Sequence, residues 1–370
     1  MARLGVRGAI VYGAYVAGDV DVADGVITSV GLPPGSHGIA IPGFVDLQVN
    51  GFAGIDFAHA TEEQWREANR ELARTGVTHY VANLISTDIP TTERVLATAR
   101  GVRSSHSDQE AHLVGVNLEG PFLSDVKAGI HPKDKLQQPV ADMFQRWVDT
   151  KSVAMTTIAP ELPGALELIR QAVAAGVCVS LGHSNADVGE AQKGFDAGAT
   201  TVTHLFNGMS GISARTPGLA GVALARPDIW LQIIADGIHV DPVLLRLVMN
   251  CAPHRIVLVS DCLPIAGTSD ESFLLDGKEI RLSNGRAVDD VGVLAGSVLT
   301  MQQALENMIE LGMDAIQAIN AATVNPRRAL GLGDSTLSPG APSDLVVLSD
   351  EHEVTLVHVG SQRWEAARKA

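Results

Sequence analysis

From about residue 43 the chain alternates short apolar runs with helix-like stretches, and this alternation limits the fold more than any other feature. Eight strand-like runs can be read, at 44–49, 79–85, 113–118, 154–159, 177–181, 200–205, 230–235 and 256–260. Several are near-continuous Val, Ile and Leu, the pattern of parallel strands covered on both faces. Between them, Thr61 and Gln64 form a capping box that predicts a helix to about Ala73. Leu166, Ile169, Ala172 and Val173 mark one face of another helix, ended by Gly176. Eight parallel strands with intervening helices predict an α/β fold, the (β/α)8 TIM barrel. An open doubly wound sheet is the alternative, but no Gly-rich phosphate fingerprint follows the first run.

The two ends read differently. Residues 4–32 carry short β-like runs punctuated by Gly8, Gly13, Gly18 and Gly25, and residues 343–359 hold two more. Neither end could close a core alone. The economical division is a small β-sandwich domain built from both chain termini, 1–42 with 338–370, and a barrel spanning 43–337. Within the barrel region Asn284-Gly285 separates two β-prone runs and predicts a hairpin.

Charge narrows the partners. The 370 residues contain 27 Lys and Arg against 42 Asp and Glu, a formal net charge of −15. No nucleic acid is expected, because its binders carry a basic patch or stripe, and no membrane contact of the polybasic kind. An anionic substrate would need a local set of donors, since the overall field repels it. The three cysteines, Cys178, Cys251 and Cys262, are scattered and odd in number, which favours a reducing, cytoplasmic setting over a disulfide framework. No apolar run after the first arginines reads as a signal peptide, and none reaches the ~18 residues of a membrane helix. A soluble protein is expected.

In such a barrel the chemistry sits at the C-terminal ends of the strands. Those ends carry Gln48 and Asn50, Glu119, His183, His204, Asp236 and His239, and Asp261. Two imidazoles and a carboxylate converging from different strands match a catalytic zinc ligand set with an open position. A lone strand-end histidine more often caps a loop, and Glu119 could bond the next turn. Asp261 follows the apolar run 256–260, where an unpaired buried charge is costly. Together these residues read better as one site than as separate coincidences.

The residues resemble the N-acetylglucosamine-6-phosphate deacetylases of the amidohydrolase superfamily. The resemblance covers nearly the whole chain. It runs through Pro42-Gly-Phe-Val-Asp-Leu-Gln-Val-Asn-Gly, Leu118-Glu-Gly-Pro-Phe, Leu181-Gly-His-Ser, Thr203-His-Leu-Phe-Asn-Gly-Met, Ala235-Asp-Gly-Ile-His, Val259-Ser-Asp and Leu294-Ala-Gly-Ser. It continues in Asn320-Ala-Ala-Thr-Val-Asn-Pro and Pro339-Gly-Ala-Pro-Ser-Asp-Leu-Val-Val. It implies that Glu119, His183 and His204 hold one divalent transition metal per subunit, zinc foremost, with iron, cobalt, manganese or cadmium as alternatives. Asp261 is implied as catalytic acid/base. His131 is implied to contact the sugar and to polarise the amide carbonyl. Asn207 and Gly208 match the segment receiving the sugar phosphate, and Arg215 and His239 match its cationic and imidazole partners. The implied assembly is a homodimer with a shared active site, in which the neighbouring subunit can supply some of these groups.

The implied reaction is hydrolysis of N-acetylglucosamine 6-phosphate to glucosamine 6-phosphate and acetate, in amino-sugar catabolism and cell-wall sugar recycling. A zinc-type ion would lower the pKa of its water toward ~7 and polarise the carbonyl. The wider superfamily usually ends its first strand in His-x-His, which binds a second metal; here it is Gln48-Val49-Asn50. Carboxamides are poor transition-metal ligands, so one tightly held metal is expected there. For Gln48 and Asn50, loop hydrogen bonding and substrate contact both stay open. Residues 122–137 read as a mobile lid carrying His131, and 211–218, around Arg215, as an active-site loop. Cyclic-amide hydrolysis is disfavoured, because strand four runs into Ala159-Pro-Glu-Leu without the bridging lysine of that chemistry. The galactosamine isomer, differing at one hydroxyl, is not separated by sequence. A catalytically dead barrel used for binding would show gaps in this residue set, and none appears beyond Gln48 and Asn50.

Overall fold

A computed structural model describes residues 2–105, 107–275, 277–333 and 337–365. The eight expected strands form one parallel sheet, wound in chain order: Phe44–Val49, Val77–Ile85, His112–Glu119, Val153–Ile158, Cys178–Leu181, Thr201–Val202, Trp230–Ile233 and Ile256–Leu258. They are called barrel strands one to eight below. Strands one and eight close the ring through the Val49–Cys262 bridge and the Asn50 N–H donating to the Cys262 carbonyl at 2.9 Å. The buried Asp46 carboxylate ties the same seam, accepting from the Ser260 backbone N–H, the Ser260 hydroxyl and the Gln48 N–H.

Strands six and eight are shorter than the runs that predict them. Two and three residues beyond their ends the backbone takes positive φ, at His204 (φ 29°) and at Asp261 (φ 49°). These side chains are thereby thrown out of the sheet at the mouth of the barrel.

Thr61 caps the helix Glu62–Arg74 with the expected reciprocal box, its hydroxyl accepting from Gln64 N–H and the Gln64 amide oxygen from Thr61 N–H. The helix Ala165–Ala174 buries Ala165, Leu168, Ile169 and Ala172. Leu166 is only partly covered and Val173 is 41% exposed, so the buried face is rotated from the one expected. The Asn-Gly hairpin forms between Lys278–Ser283 and Arg286–Val288, with Asn284 and Gly285 both at positive φ as a type I′ turn requires. With Ser272–Leu275 and Leu294–Gly296 it makes a four-stranded sheet whose apolar side packs on Ile130 and Leu263.

The two ends of the chain meet in a six-stranded sheet. Val6–Val11, Ala14–Ala17 and His37–Pro42 come from one end, and Leu345–Leu348, Val354–Val359 and Gln362–Glu365 from the other. A three-stranded sheet from residues 2–32 covers one face, making a β-sandwich. The period-2 alternation of a strand explains why Leu345–Leu348 is apolar throughout. Leu345 and Val347 face the sandwich interior, whereas Val346 and Leu348 join the barrel's core. Residues 366–370, in the expected C-terminal segment, lie outside the described residues, as do 106, 276 and 334–336 in the barrel segment. No helix among the described residues is long and apolar enough to cross a membrane.

Candidate active site

At the C-terminal mouth of the barrel three donor atoms meet. Glu119 Oε1 lies 3.1 Å from His183 Nε2 and 3.0 Å from His204 Nε2, and the two nitrogens are 3.1 Å apart. All three residues are buried. His183 Nδ1 is 2.8 Å from the Lys127 carbonyl, to which only an N–H can donate. Its Nε2 therefore carries a lone pair aimed at a carboxylate oxygen and a second imidazole. This lone pair, a carboxylate oxygen and His204 Nε2 converge on one buried point, a donor set that suits a cation. The trio thus fits a divalent metal, with Lys127 fixing one histidine's orientation as metal-ligating histidines require. Burial raises the Glu119 carboxyl, and with no ion at the trio the hydrogen bonds and charge that His183 and His204 supply when protonated hold it well below the usual range.

Asp261 stands beside the trio. Burial first, then the negative charge of Glu119, raises its carboxyl well above the ordinary range, opposed by a 2.9 Å hydrogen bond from Asn50 Nδ2. A cation at the trio opposes that rise as well. His131 completes the wall. Its Nδ1 lies 3.1 Å from the Ser86 backbone N–H, which can only donate, so Nδ1 is the acceptor and Nε2 bears the proton. Burial pushes this imidazole down to about 3, with positive charge at His183 adding to the effect when that ring is protonated, so it is neutral and faces the site as an N–H donor. Its Nε2 is 4.0 Å from Glu119 Oε2.

Gln48 and Asn50 take a role neither reading named, since both hold carboxylates, and Asn50 also lines the cavity. Gln48 Nε2 is 3.3 Å from each Glu119 oxygen, and Asn50 donates to Asp261. Behind them is a relay of buried amides that sequence reading missed. Asn117 donates to the Asn83 amide oxygen at 2.6 Å. Asn83 Nδ2 in turn reaches Glu119 Oε2 at 2.6 Å and the Asn50 amide oxygen at 2.8 Å. Asn83 thereby joins the surroundings of Glu119 to those of Asp261. The one signal for it was a polar residue interrupting the apolar run 81–85.

Asp236 orients His239, accepting from its Nδ1 at 2.6 Å and from its backbone N–H at 2.8 Å. Burial opposes these contacts, yet they keep the Asp236 carboxyl below its ordinary value. His239, Asn207 and Gly208 line a cavity of about 200 Å³ together with Asp261, His131 and the trio. Gly208 is at φ 57°, and a Cβ there would lie 3.0 Å from His183 Nδ1, so only glycine lets this loop approach the ring. Arg215 is not brought in. It sits exposed on the loop 211–216 and does not line the cavity of its own chain.

Residues 122–137 pack as a wall of the site. Ser124 N–H donates to the His183 carbonyl, Gln137 N–H to Pro121, and Phe122, Leu123, Ala128 and His131 are buried. Cys178 and Cys262 are packing residues, each with its thiol pushed up by burial, Cys178 to about 11.

The sequence model of the amidohydrolase family matches residues 39–363. The N-acetylglucosamine-6-phosphate deacetylase of Bos taurus is 36% identical over 344 residues, 88% of this chain and 84% of that protein. The chain belongs to the N-acetylglucosamine-6-phosphate deacetylase family of the amidohydrolases. The N-acetylgalactosamine-6-phosphate deacetylase of Escherichia coli O157:H7 is 32% identical, over 92% of this chain and 93% of the relative. A deacetylase variant from Mycobacterium smegmatis, solved in complex with N-acetyl-D-glucosamine-6-phosphate, superposes with a TM-score of 0.90 at 32% identity, covering 97% of each chain.

Proposed function

We propose that this deacetylase-family chain hydrolyses N-acetylglucosamine 6-phosphate to glucosamine 6-phosphate and acetate, in amino-sugar metabolism. The observation that carries the reading is the buried meeting of Glu119, His183 and His204 beside Asp261 and the N–H of His131. Glu119, His183 and His204 would hold one divalent transition metal. Two imidazoles and a carboxylate suit zinc first, with iron, cobalt, manganese or cadmium as alternatives. Such an ion supplies a strong nucleophile from water at neutral pH and Lewis acidity at the carbonyl oxygen.

The chain's own groups do the rest. Asp261 takes a proton from the attacking water and returns it to the leaving amine nitrogen, whose expulsion requires protonation. His131, neutral with Nε2–H inward, donates to the carbonyl oxygen as negative charge develops there. Asn207, Gly208 and His239 receive the phosphorylated end of the sugar, and that remote binding energy orients the acetamide. Arg215, exposed on its own chain, is assigned to the neighbouring subunit's site in a homodimer, where its guanidinium fork matches phosphate. The division into a terminal β domain, 1–42 with 338–370, and a barrel, 43–337, is proposed with it; Leu337 already joins the terminal core. Scattered cysteines, two of them packed against the barrel, favour the cytoplasm as its place of work.

The test is acetate release from both 6-phosphorylated isomers and from unphosphorylated N-acetylglucosamine. Turnover of the gluco isomer, with the unphosphorylated sugar far behind, is expected. The galacto isomer is included because one relative carries that name, and its preference over gluco would reassign the substrate. No turnover of any by metal-replete protein would overturn the reading.

A further inference from the structure

At the opposite end of the barrel from the cavity, a second set of metal-ligating side chains comes together. His79 and His112 are register partners near the N-terminal ends of strands two and three. Their rings stack with centroids 4.7 Å apart and planes 18° from parallel. Asp344 enters from the C-terminal segment, just before Leu345–Leu348 of the terminal sheet. Its Oδ2 lies 3.5 Å from His112 Nε2. One donor atom from each of the three residues falls within 4.8 Å of the others. None of them has a part in the proposed chemistry.

The neighbours orient this set. The Gly360 backbone N–H donates to Asp344 Oδ1 at 2.9 Å, which turns Oδ2 toward His112. The Thr78 hydroxyl lies 3.1 Å from His79 Nδ1 and 3.4 Å from the Phe44 carbonyl, which holds that ring in place. Two stacked imidazoles repel if both are protonated, whereas two neutral ones can share a cation. Asp344 and Asp108 act on His112 as negative charges and Arg327 as a positive one. The spacing is wider than at the mouth of the barrel. His112 is 37% exposed at its side chain, so its ring has room to turn toward an ion, whose bonds would be roughly 2.0–2.2 Å.

We infer that His79, His112 and Asp344 form a second divalent-metal site, of the zinc, cobalt or nickel class, at the seam between the barrel and the terminal sheet. Its ion staples strands two and three to the C-terminal segment. On the N-terminal face of a barrel that role is stability, not catalysis.

The test counts zinc in chelator-stripped protein brought to equilibrium by dialysis against micromolar zinc. The unaltered chain is expected to hold two equivalents, one tight and one weaker. Glu119→Gln should retain one equivalent with turnover lost, and His112→Asn one equivalent with acetate release unchanged. Zinc should raise the melting temperature of Glu119→Gln and leave that of a Glu119→Gln/His112→Asn pair where it was. His79→Gln, made separately, gives the same reading should His112→Asn fail to fold. No zinc retained by Glu119→Gln, or a weaker equivalent that survives in both His79→Gln and His112→Asn, would overturn the site. The zinc counts do not depend on whether the chain releases acetate, so this inference and the deacetylase reading fail separately.

Discussion

His183, His204 and Asp261 share a left-handed backbone, with φ of 45°, 29° and 49°. A non-glycine residue held there costs on the order of 1–3 kcal/mol and persists only where the surroundings enforce it. Three such residues at one barrel mouth mark where stability is given up for geometry. Asp261→Asn keeps the shape and removes the base. We expect unchanged folding and zinc content, with kcat lowered roughly 10²- to 10⁴-fold; near-normal turnover would sink the assignment. Asn83→Ala strips donors from Glu119 and Asn50 inside a dry site. It should cost roughly 1–3 kcal/mol, read from thermal or urea melts against the unaltered chain, and a loss below about half a kcal/mol would mean the relay is idle. The trio and Asp261 were legible because charged or imidazole groups at the ends of apolar runs demand a reason. Asn83 and Asn117 were not, since a neutral amide in a strand has many ways to be satisfied and only the folded neighbours show which one is used. Arg215 was named by resemblance alone, and the fold leaves it outside its own chain's cavity.

At the scale of elements, the existence of the strands was readable and their ends were not. Apolar runs continue through Thr203 and Val259, but the regular strands end at Val202 and Leu258, shortly before the site residues turn the backbone. On Ala165–Ala174 the expected and buried faces share Ile169 and Ala172, and Ala165 and Leu168 are buried where Leu166 and Val173 were expected. The seam between strands one and eight offers a pH test. Burial raises Asp46 from 3.8 to about 6, although hydrogen bonds from Ser260 and Gln48 oppose it. A raised carboxyl binds its proton more tightly in the folded chain, so its contribution is full at low pH and is lost as pH rises through about 6. Relative to Asp46→Asn, the unaltered chain should lose up to about 3 kcal/mol between pH ~4 and ~7. Parallel stability profiles for the two would show that the seam carboxylate is not the buried acid described.

For the whole molecule, a net charge of −15 makes any dianion depend on a few placed groups. If Arg215 reaches across a homodimer, chains bearing Arg215→Ala and chains bearing Asp261→Asn should complement one another. Each is poorly active alone, and on mixing and exchange one site of each mixed pair regains both groups. Activity that stays at the mean of the two separate preparations would show that Arg215 does not serve a neighbour's site. The terminal sheet, finally, sets the order in which this protein can be made. His37–Pro42 is ladder partner to Leu345–Leu348, across roughly 300 residues of intervening barrel. At translation speeds of about 5–20 residues per second, the earlier strand waits some 15–60 s on the ribosome before its neighbour exists. Through that interval its bare edge and apolar faces are open to other nascent chains. The terminal sheet can therefore close only once residues 345–365 have been made, and these strands act as the clasp.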